Sequence, residues 1–288
     1  MLTKEGYGMG WLPDYPDFRD YTPDNQKIST FFEGRKIFSI SKIPSTILIP
    51  EDDFSPVENQ GSLGSCTANA GVGLMEYYQN KTKGKFIDMS RLFLYKVTRN
   101  LLGWTGDTGA FLRTTMQAMV AFGSCPESYW PYDVQDFEKE PPAFLYAFAD
   151  EFETVRYFRI DPPGTSRQDL LQRIKSMINR KMPMMFGFSV YNSISQANSN
   201  GEIPYPCSTD RMVGGHAVVA MGYDDNKEII NRNCGEKTRG AIKIRNSWGT
   251  GWGAKGYGWL PYDYILNNLA DDWWSILRME WLDTNAFE

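Results

Sequence analysis

Histidine is almost missing from this chain: its 288 residues contain one, His216, alongside cysteines at positions 66, 125, 207 and 234. A single imidazole, with cysteines that lack C-x-x-C spacing, excludes the usual zinc ligand sets, and no metal site is expected. Long apolar runs are missing too. No segment reaches the roughly 18 consecutive apolar residues of a membrane-spanning helix, so no membrane partner is expected. The start, Met1-Leu2-Thr3-Lys4-Glu5-Gly6-Tyr7-Gly8, lacks the apolar core of a signal peptide, which makes an intracellular location the default expectation. Runs of like charge are absent as well. The chain has 30 Lys and Arg against 35 Asp and Glu, a net charge of −5, which argues against a nucleic-acid partner. What remains is 42% hydrophobic residues, enough to bury one sizeable core or two smaller ones that share an interface.

Against that background one stretch stands out. Gln60-Gly61-Ser62-Leu63-Gly64-Ser65-Cys66 brings small residues up to a thiol, and the chain from Thr67 to Tyr78 carries apolar residues at helical spacing. Cys66 is thereby predicted at or just before a helix N-terminus, where unpaired backbone N–H groups and the helix dipole favour thiolate over thiol. The glycines upstream allow backbone to come close to whatever the thiolate attacks. His216 follows Val213-Gly214-Gly215 and leads into Ala217-Val218-Val219-Ala220-Met221, which reads as a buried strand with the ring approachable from the glycine side. An imidazole also needs a third group to fix its tautomer. Asn246 is the candidate, because it ends the alternating run Ala241-Ile242-Lys243-Ile244-Arg245 and opens Asn246-Ser247-Trp248-Gly249-Thr250-Gly251-Trp252-Gly253. Singly, each residue has an ordinary structural reading: a buried cysteine packs, a lone histidine is structural, and an asparagine after a strand turns the chain.

Together, the blocks Gln60 to Ala70, Gly214 to Tyr223 and Ile244 to Tyr257 resemble the papain-like cysteine peptidases of the C1 type, in particular their bacterial and archaeal members. Cys66 precedes His216 by 150 residues, at the upper edge of the roughly 130–150 that separate this pair in the family. The resemblance implies an α+β, two-lobe papain-like fold. A helical left lobe would face an antiparallel β-barrel-like right lobe, with the active site in the cleft between them. It implies Cys66 as nucleophile, His216 as general acid and base, Asn246 as the group that orients His216, and Gln60 as an oxyanion donor beside the Cys66 backbone N–H. Trp248 would shield the His–Asn hydrogen bond from water. The substrate groove would include Gly64, Ser65, Thr108, Gly109, Phe188, Gly215 and Trp248. The implied activity is that of a cysteine endopeptidase acting on polypeptide, with no metal or organic cofactor. An acyl-transfer enzyme on the same scaffold, such as a transpeptidase or amidase, is the alternative, and a non-catalytic binding module is a third reading. Relatives that hold a substrate terminus through extra histidines are excluded, since there is no second histidine.

The chain departs from the family pattern in places. Thr67 stands where an aromatic residue usually follows the nucleophile, and Leu63 stands where many members have a disulfide cysteine. Asp224 to Gly240 reads as an inserted polar hairpin between His216 and Asn246. Cys207 and Cys234 flank the histidine block and could pair, but the expectation is free thiols in a reducing compartment.

Composition divides the chain into residues 1–50, an N-terminal extension; 51–150, mainly helical and carrying the thiol; and 151–288, rich in strands. The extension is rich in proline and aromatics and reads as irregular chain packed on the surface. Trp11 to Tyr21 is expected in or near the cleft, restraining activity in the manner of a zymogen leader; an arm that merely covers apolar surface is the competing expectation. Ser90 and Ser166 are predicted helix caps, and residues 106–109 form a turn that by resemblance is the substrate-pairing edge. Residues 152–160 alternate like a strand, while residues 271–282 fit either a strand or a short helix.

Overall fold

The structure is a computed structural model and describes residues 1–30, 43–150 and 156–277. In chain order its elements are β1 (Trp11–Leu12), α1 (Gln26–Ser29), β2 (Thr46–Leu48), α2 (Cys66–Lys83), α3 (Arg91–Leu102), β3 (Ala110–Phe111), α4 (Leu112–Ala121) and α5 (Ala143–Ala149). Then follow β4 (Arg156–Arg159), α6 (Arg167–Asn179), β5 (Met184–Tyr191), β6 (Met212–Ile230), β7 (Lys237–Arg245), β8 (Tyr257–Pro261), α7 (Tyr262–Leu266) and β9 (Ala270–Leu277).

The apolar runs around Phe186 and Val218 become adjacent strands because each can bury both faces. β5 pairs antiparallel with β6, with Phe188 opposite His216. The sheet runs β4-β9-β5-β6-β7-β8, with β2 also on β6. Since β4 and β8 lie at opposite ends of that path, the sheet is open and not a closed barrel, within an α+β papain-like fold. The β6–β7 register sets Val219 against Arg245, so that Asn246, the first residue beyond β7, lands near His216. The polar insertion is the tip of that hairpin.

Over the sheet lies α2, buried from Cys66 through Gln79. Its small residues Ala68, Ala70, Gly71 and Gly73 let neighbours come close, and Gly84 in the left-handed conformation ends it. Both predicted caps form: Ser90 accepts the Phe93 N–H, and Ser166 accepts that of Asp169. The core between helices and sheet is aromatic, with Tyr77, Tyr78, Phe158, Trp252, Trp273 and Trp274 fully buried. No helix among the described residues is long and apolar enough to cross a membrane.

Residues 270–277 form a strand, inserted between β4 and β5. Residues 152–155 and 278–282, and residues 31–42 of the extension, lie outside the described residues. The reading of the first residues as a surface arm needs correction: Met9 and Trp11 are buried, and Trp11–Leu12 pairs in parallel with Ala110–Phe111.

Candidate active site

The N-terminus of α2 meets β6 at the centre of the molecule. Cys66, the first residue of α2, is fully buried, and the backbone N–H groups of Ala217, Gly10 and Thr67 are aimed at its sulfur. Ala217 directly follows His216 on β6. Nε2 of His216 lies 2.7 Å from Oδ1 of Asn246. That oxygen also accepts the Ser247 N–H at 2.8 Å. An atom that accepts a backbone N–H is the amide oxygen, so Nε2 carries the ring proton and Nδ1 keeps its lone pair. Nδ1 has no hydrogen-bond partner among the described residues. Trp248 stacks on the imidazole at 4.4 Å, and Trp252 meets Trp248 edge-on at 5.4 Å, which keeps water from the His–Asn bond.

Gln60 is set by its neighbours at both ends. Its Oε1 accepts the Ser247 hydroxyl at 2.6 Å, and its Nε2 donates to the Leu63 carbonyl at 2.8 Å. The other Nε2 proton goes to the Gly8 carbonyl at 3.2 Å, which also accepts the Trp248 indole N–H at 3.0 Å. A carbonyl from this chain's own first residues therefore sits on the amide that the sequence assigned to an oxyanion.

Those residues lie along the cleft. Tyr7 stacks on the outer face of Trp248 at 5.0 Å, and the Gly8 N–H donates to the Gly61 carbonyl at 2.8 Å. The Gly10 carbonyl accepts the Ala110 N–H at 2.8 Å. Gly10 approaches Gly64 so closely that a Cβ on it would stand 1.9 Å from the Gly64 carbonyl oxygen, so only glycine fits. Trp11 enters a slot beside Gly187 and Gly215, and its Nε1 donates to Asp272 Oδ2 at 3.2 Å.

Burial decides the charge state. Burial pushes the Cys66 thiol up to about 11 and the His216 imidazole down to about 4, against opposing hydrogen bonds from backbone N–H groups and from Asn246. Both groups are thus neutral near pH 7. The helix N-terminus alone predicts a thiolate, but desolvation of a fully buried sulfur outweighs half a unit charge of helix dipole.

Residues 44–268 match the family described as papain family cysteine protease. The chain belongs to that family. It is an enzyme, a cysteine peptidase. It is 34% identical over 280 residues to an uncharacterized peptidase C1-like protein of Acanthamoeba polyphaga mimivirus, covering 93% of this chain and 86% of that one. Cathepsin K of Mus musculus is 30% identical over 240 residues, which are 82% of this chain and 61% of cathepsin K. The crystal structure of xylellain, a cysteine protease from Xylella fastidiosa, superimposes with a TM-score of 0.75 at 30% identity, covering 95% of this chain and 97% of that one.

Of the residues assigned to the groove, Gly64, Gly109, Gly215 and Trp248 all lie against residues 8–11. Ser65 is instead buried beneath the loop, its hydroxyl 2.5 Å from Tyr132 Oη and 3.1 Å from Asn69 Nδ2. Thr108 lines an open groove with Leu12, Gly103, Trp104 and Thr105. Phe188 packs against His216 and Tyr264 and does not line the Trp11 slot. The wall of that slot is its neighbour Gly187, and because side chains alternate along a strand, a shift of one residue reverses the face.

Two groups at the cleft were not singled out from the sequence. Asp107 Oδ1 accepts the Gly64 N–H at 2.8 Å and the Tyr95 hydroxyl at 2.7 Å, while that hydroxyl accepts the Gly109 N–H at 3.0 Å. Asp107 and Tyr95 thereby stitch the loop before Cys66 to the turn at Gly109. The only signal was an aspartate between the two glycines of Gly106-Asp107-Thr108-Gly109. The expectation for Cys207 and Cys234 is also corrected: they form a disulfide, with Cα atoms 6.3 Å apart. The loop after β5 folds back onto the β6–β7 turn, which a separation of 27 residues does not reveal.

Proposed function

We propose that this chain hydrolyses peptide bonds through Cys66, His216 and Asn246, and that residues 8–11 hold the enzyme latent. The observation that carries the reading is the orientation of His216, with Nε2 tied to Asn246 at 2.7 Å and the Nδ1 lone pair unspent, on the strand whose next N–H, that of Ala217, faces the Cys66 sulfur. Once the cover leaves, water reaches the cleft and the burial that keeps both groups neutral is relieved. His216 Nδ1 takes the thiol proton, and the sulfur attacks the substrate carbonyl carbon. The Gln60 amide, released from Gly8, and the Cys66 backbone N–H hold the developing oxyanion. The imidazolium gives its proton to the departing amine as the C–N bond breaks. Water, deprotonated by His216, then cleaves the thioester, releasing a carboxylic acid and regenerating the thiol.

The test uses the full-length chain carrying Trp11→Gly, which empties the slot. Turnover of a small blocked peptide should rise well above that of the unmodified chain, and equal rates would remove the latency reading. In the same Trp11→Gly background, Gln60→Ala should slow turnover by about 100-fold or more, the loss expected for one oxyanion donor. Unchanged turnover would falsify the role given to Gln60.

A further inference from the structure

The loop before the nucleophile has no covalent tie. Leu63 stands where many family members have a disulfide cysteine, Cys66 and Cys125 are free, and Cys207 is joined to Cys234. One peptide group in that loop is nevertheless gripped at both ends. The Leu63 carbonyl accepts the Gln60 side-chain amide at 2.8 Å, and the Gly64 N–H donates to Asp107 Oδ1 at 2.8 Å. Both belong to the planar unit that joins Leu63 to Gly64, where C=O and N–H point in opposite directions, so fixing one fixes the other. Asp107 thereby sets the acceptor from which the Gln60 amide takes its direction.

Asp107 is exposed and adds nothing to the core, yet it is held firmly. Its Oδ1 also accepts the hydroxyl of Tyr95, a fully buried residue of α3, at 2.7 Å, and that hydroxyl accepts the Gly109 N–H at 3.0 Å. One turn further along α3, Arg99 lies over the Tyr95 ring at 4.3 Å and donates to the Gly106 carbonyl at 2.7 Å. The turn at 106–109 is thus fastened to α3 at both ends, and Asp107 carries that rigidity across to the loop before Cys66. The span it sets is one that backbone passes through. A Cβ on Gly10 would stand 1.9 Å from the Gly64 carbonyl oxygen, and one on Gly109 would stand 2.2 Å from the Gly10 carbonyl oxygen. Gly64 and Gly109 are therefore the two sides of a channel one backbone wide.

We propose that Asp107 is a positioning residue for hydrolysis, which aims the Gln60 amide at the oxyanion through the Leu63–Gly64 peptide group and fixes the width of the channel between Gly64 and Gly109. The inference rests on the role proposed for Gln60, and adds the group that sets it.

The full-length Trp11→Gly chain is assayed with a blocked fluorogenic peptide. Adding Asp107→Ala should lower kcat by about 10-fold or more, since a small misplacement of the oxyanion donor is costly. Asp107→Asn still offers Oδ1 to both donors and should recover most of that loss. The deciding arm is the cycle with Gln60→Ala. Once that amide is gone, Asp107→Ala should cost less than about threefold in kcat, because the two residues act as a unit. Losses that simply multiply overturn the proposal, as does an unchanged kcat in Asp107→Ala. If Asp107→Ala does not fold, Asp107→Glu, with the same charge one methylene further out, takes its place in the cycle. Hydrogen exchange separates the two readings without turnover. In the full-length chain the Gly64 amide should exchange roughly 10-fold faster in Asp107→Ala than in the unmodified protein, the scale of a hydrogen bond to a charged group. That gain, alongside a Trp11→Gly chain that hydrolyses nothing, faults the peptidase reading alone. A Gly64 amide that exchanges equally with and without Asp107 overturns the tie.

Discussion

Residues 8–11 and residues 14–20 are held against the same cleft by opposite physics. The first group uses shape: backbone groups of Gly8 and Gly10 bond to Gln60, Gly61, Trp248 and Ala110, and Gly10 nests where no Cβ fits. The second uses charge. Asp20 bonds Arg113 at 2.7 Å and lies 3.6 Å from Arg159, Asp14 pairs with Arg113, and the Asp14 N–H donates to Asp272 at 2.9 Å. Only the first group touches Gln60 and Cys66. Tyr15 and Phe18, in the second, point their rings into solvent. A plug and a latch are thus distinct parts of one segment, and each should fail under a different perturbation.

The plug is the more sensitive of the two. In Gly10→Ala the added methyl meets the Gly64 carbonyl, and both partners are backbone, so no flexible side chain can move aside. Overpacking of this sort costs about 1–3 kcal/mol, and with backbone on both sides the upper end applies, corresponding to roughly 100-fold. Iodoacetamide should therefore modify Cys66 in the full-length variant roughly 100-fold faster than in the unmodified chain, read by peptide mass mapping. An unchanged rate would mean that the cleft opens without moving Gly10, and the distinction between plug and latch would collapse.

Acid sharpens the comparison because two buried groups titrate against each other. His216 in the closed cleft falls to about 4 from an ordinary 6.5, so its contribution to closure is present above pH 6.5 and is lost as pH falls toward 4. Burial raises Asp272 from 3.8 to about 6, so its contribution to closure is fully present below pH 3.8 and is lost as pH rises through 6. The two slopes oppose each other across the same window. Asp161, raised to about 7, bonds the N–H groups of Asp272 and Trp273 as well as Arg159, all within the sheet, and so changes little when the segment departs. Hydrogen exchange in a fragment spanning residues 7–12, corrected for intrinsic rates, should therefore be nearly flat between pH 6.5 and 5. In Asp272→Asn, with His216 unopposed, protection should drop by about tenfold over that range. Strong acid opening of the unmodified chain would show that Asp272 does not offset His216.

Much of the site was legible in the sequence because its signals are local. Cys66, His216 and Asn246 each sit in a short motif whose glycines and strand pattern fix the backbone around them, and Ser90 and Ser166 stand directly before the helices they cap. What was hidden depends on distance or on phase. Trp11 and Asp272 are 261 positions apart, and nothing near either one hints at the other. The strand at 270–277 looked ambiguous because Asp272 interrupts its alternation with a left-handed residue. Phe188 was assigned to the groove because the resemblance places the end of that strand there, whereas the residue that lies against the Trp11 indole is its neighbour Gly187. The thiolate expectation meets an opposing effect: a dipole argument concerns one helix, whereas full burial pushes the Cys66 thiol up.

The latch should give the smallest response, and the most specific one. Arg113, on α4, offers Nε and Nη2 to the two oxygens of Asp20 at 2.7 and 2.8 Å, Nη2 to the Tyr15 carbonyl at 2.7 Å, and Nη1 to Asp14. Arg159 still faces Asp20 when Arg113 is removed, so the net loss in Arg113→Ala resembles that of a partly exposed pair, about 1 kcal/mol, or about fivefold faster alkylation of Cys66. Arg113→Lys should behave almost like Arg113→Ala. A single ammonium cannot span both Asp20 oxygens, the Tyr15 carbonyl and Asp14 at once, because those acceptors are arranged for a planar fork. Raising salt to 1 M should erase part of the difference between Arg113 and Arg113→Ala while leaving the Gly10→Ala effect intact, since ions screen the charged half and not the steric one. If salt instead abolished the Gly10→Ala effect, the two halves of the segment would be one electrostatic unit, and shape would have no separate part in closing the cleft.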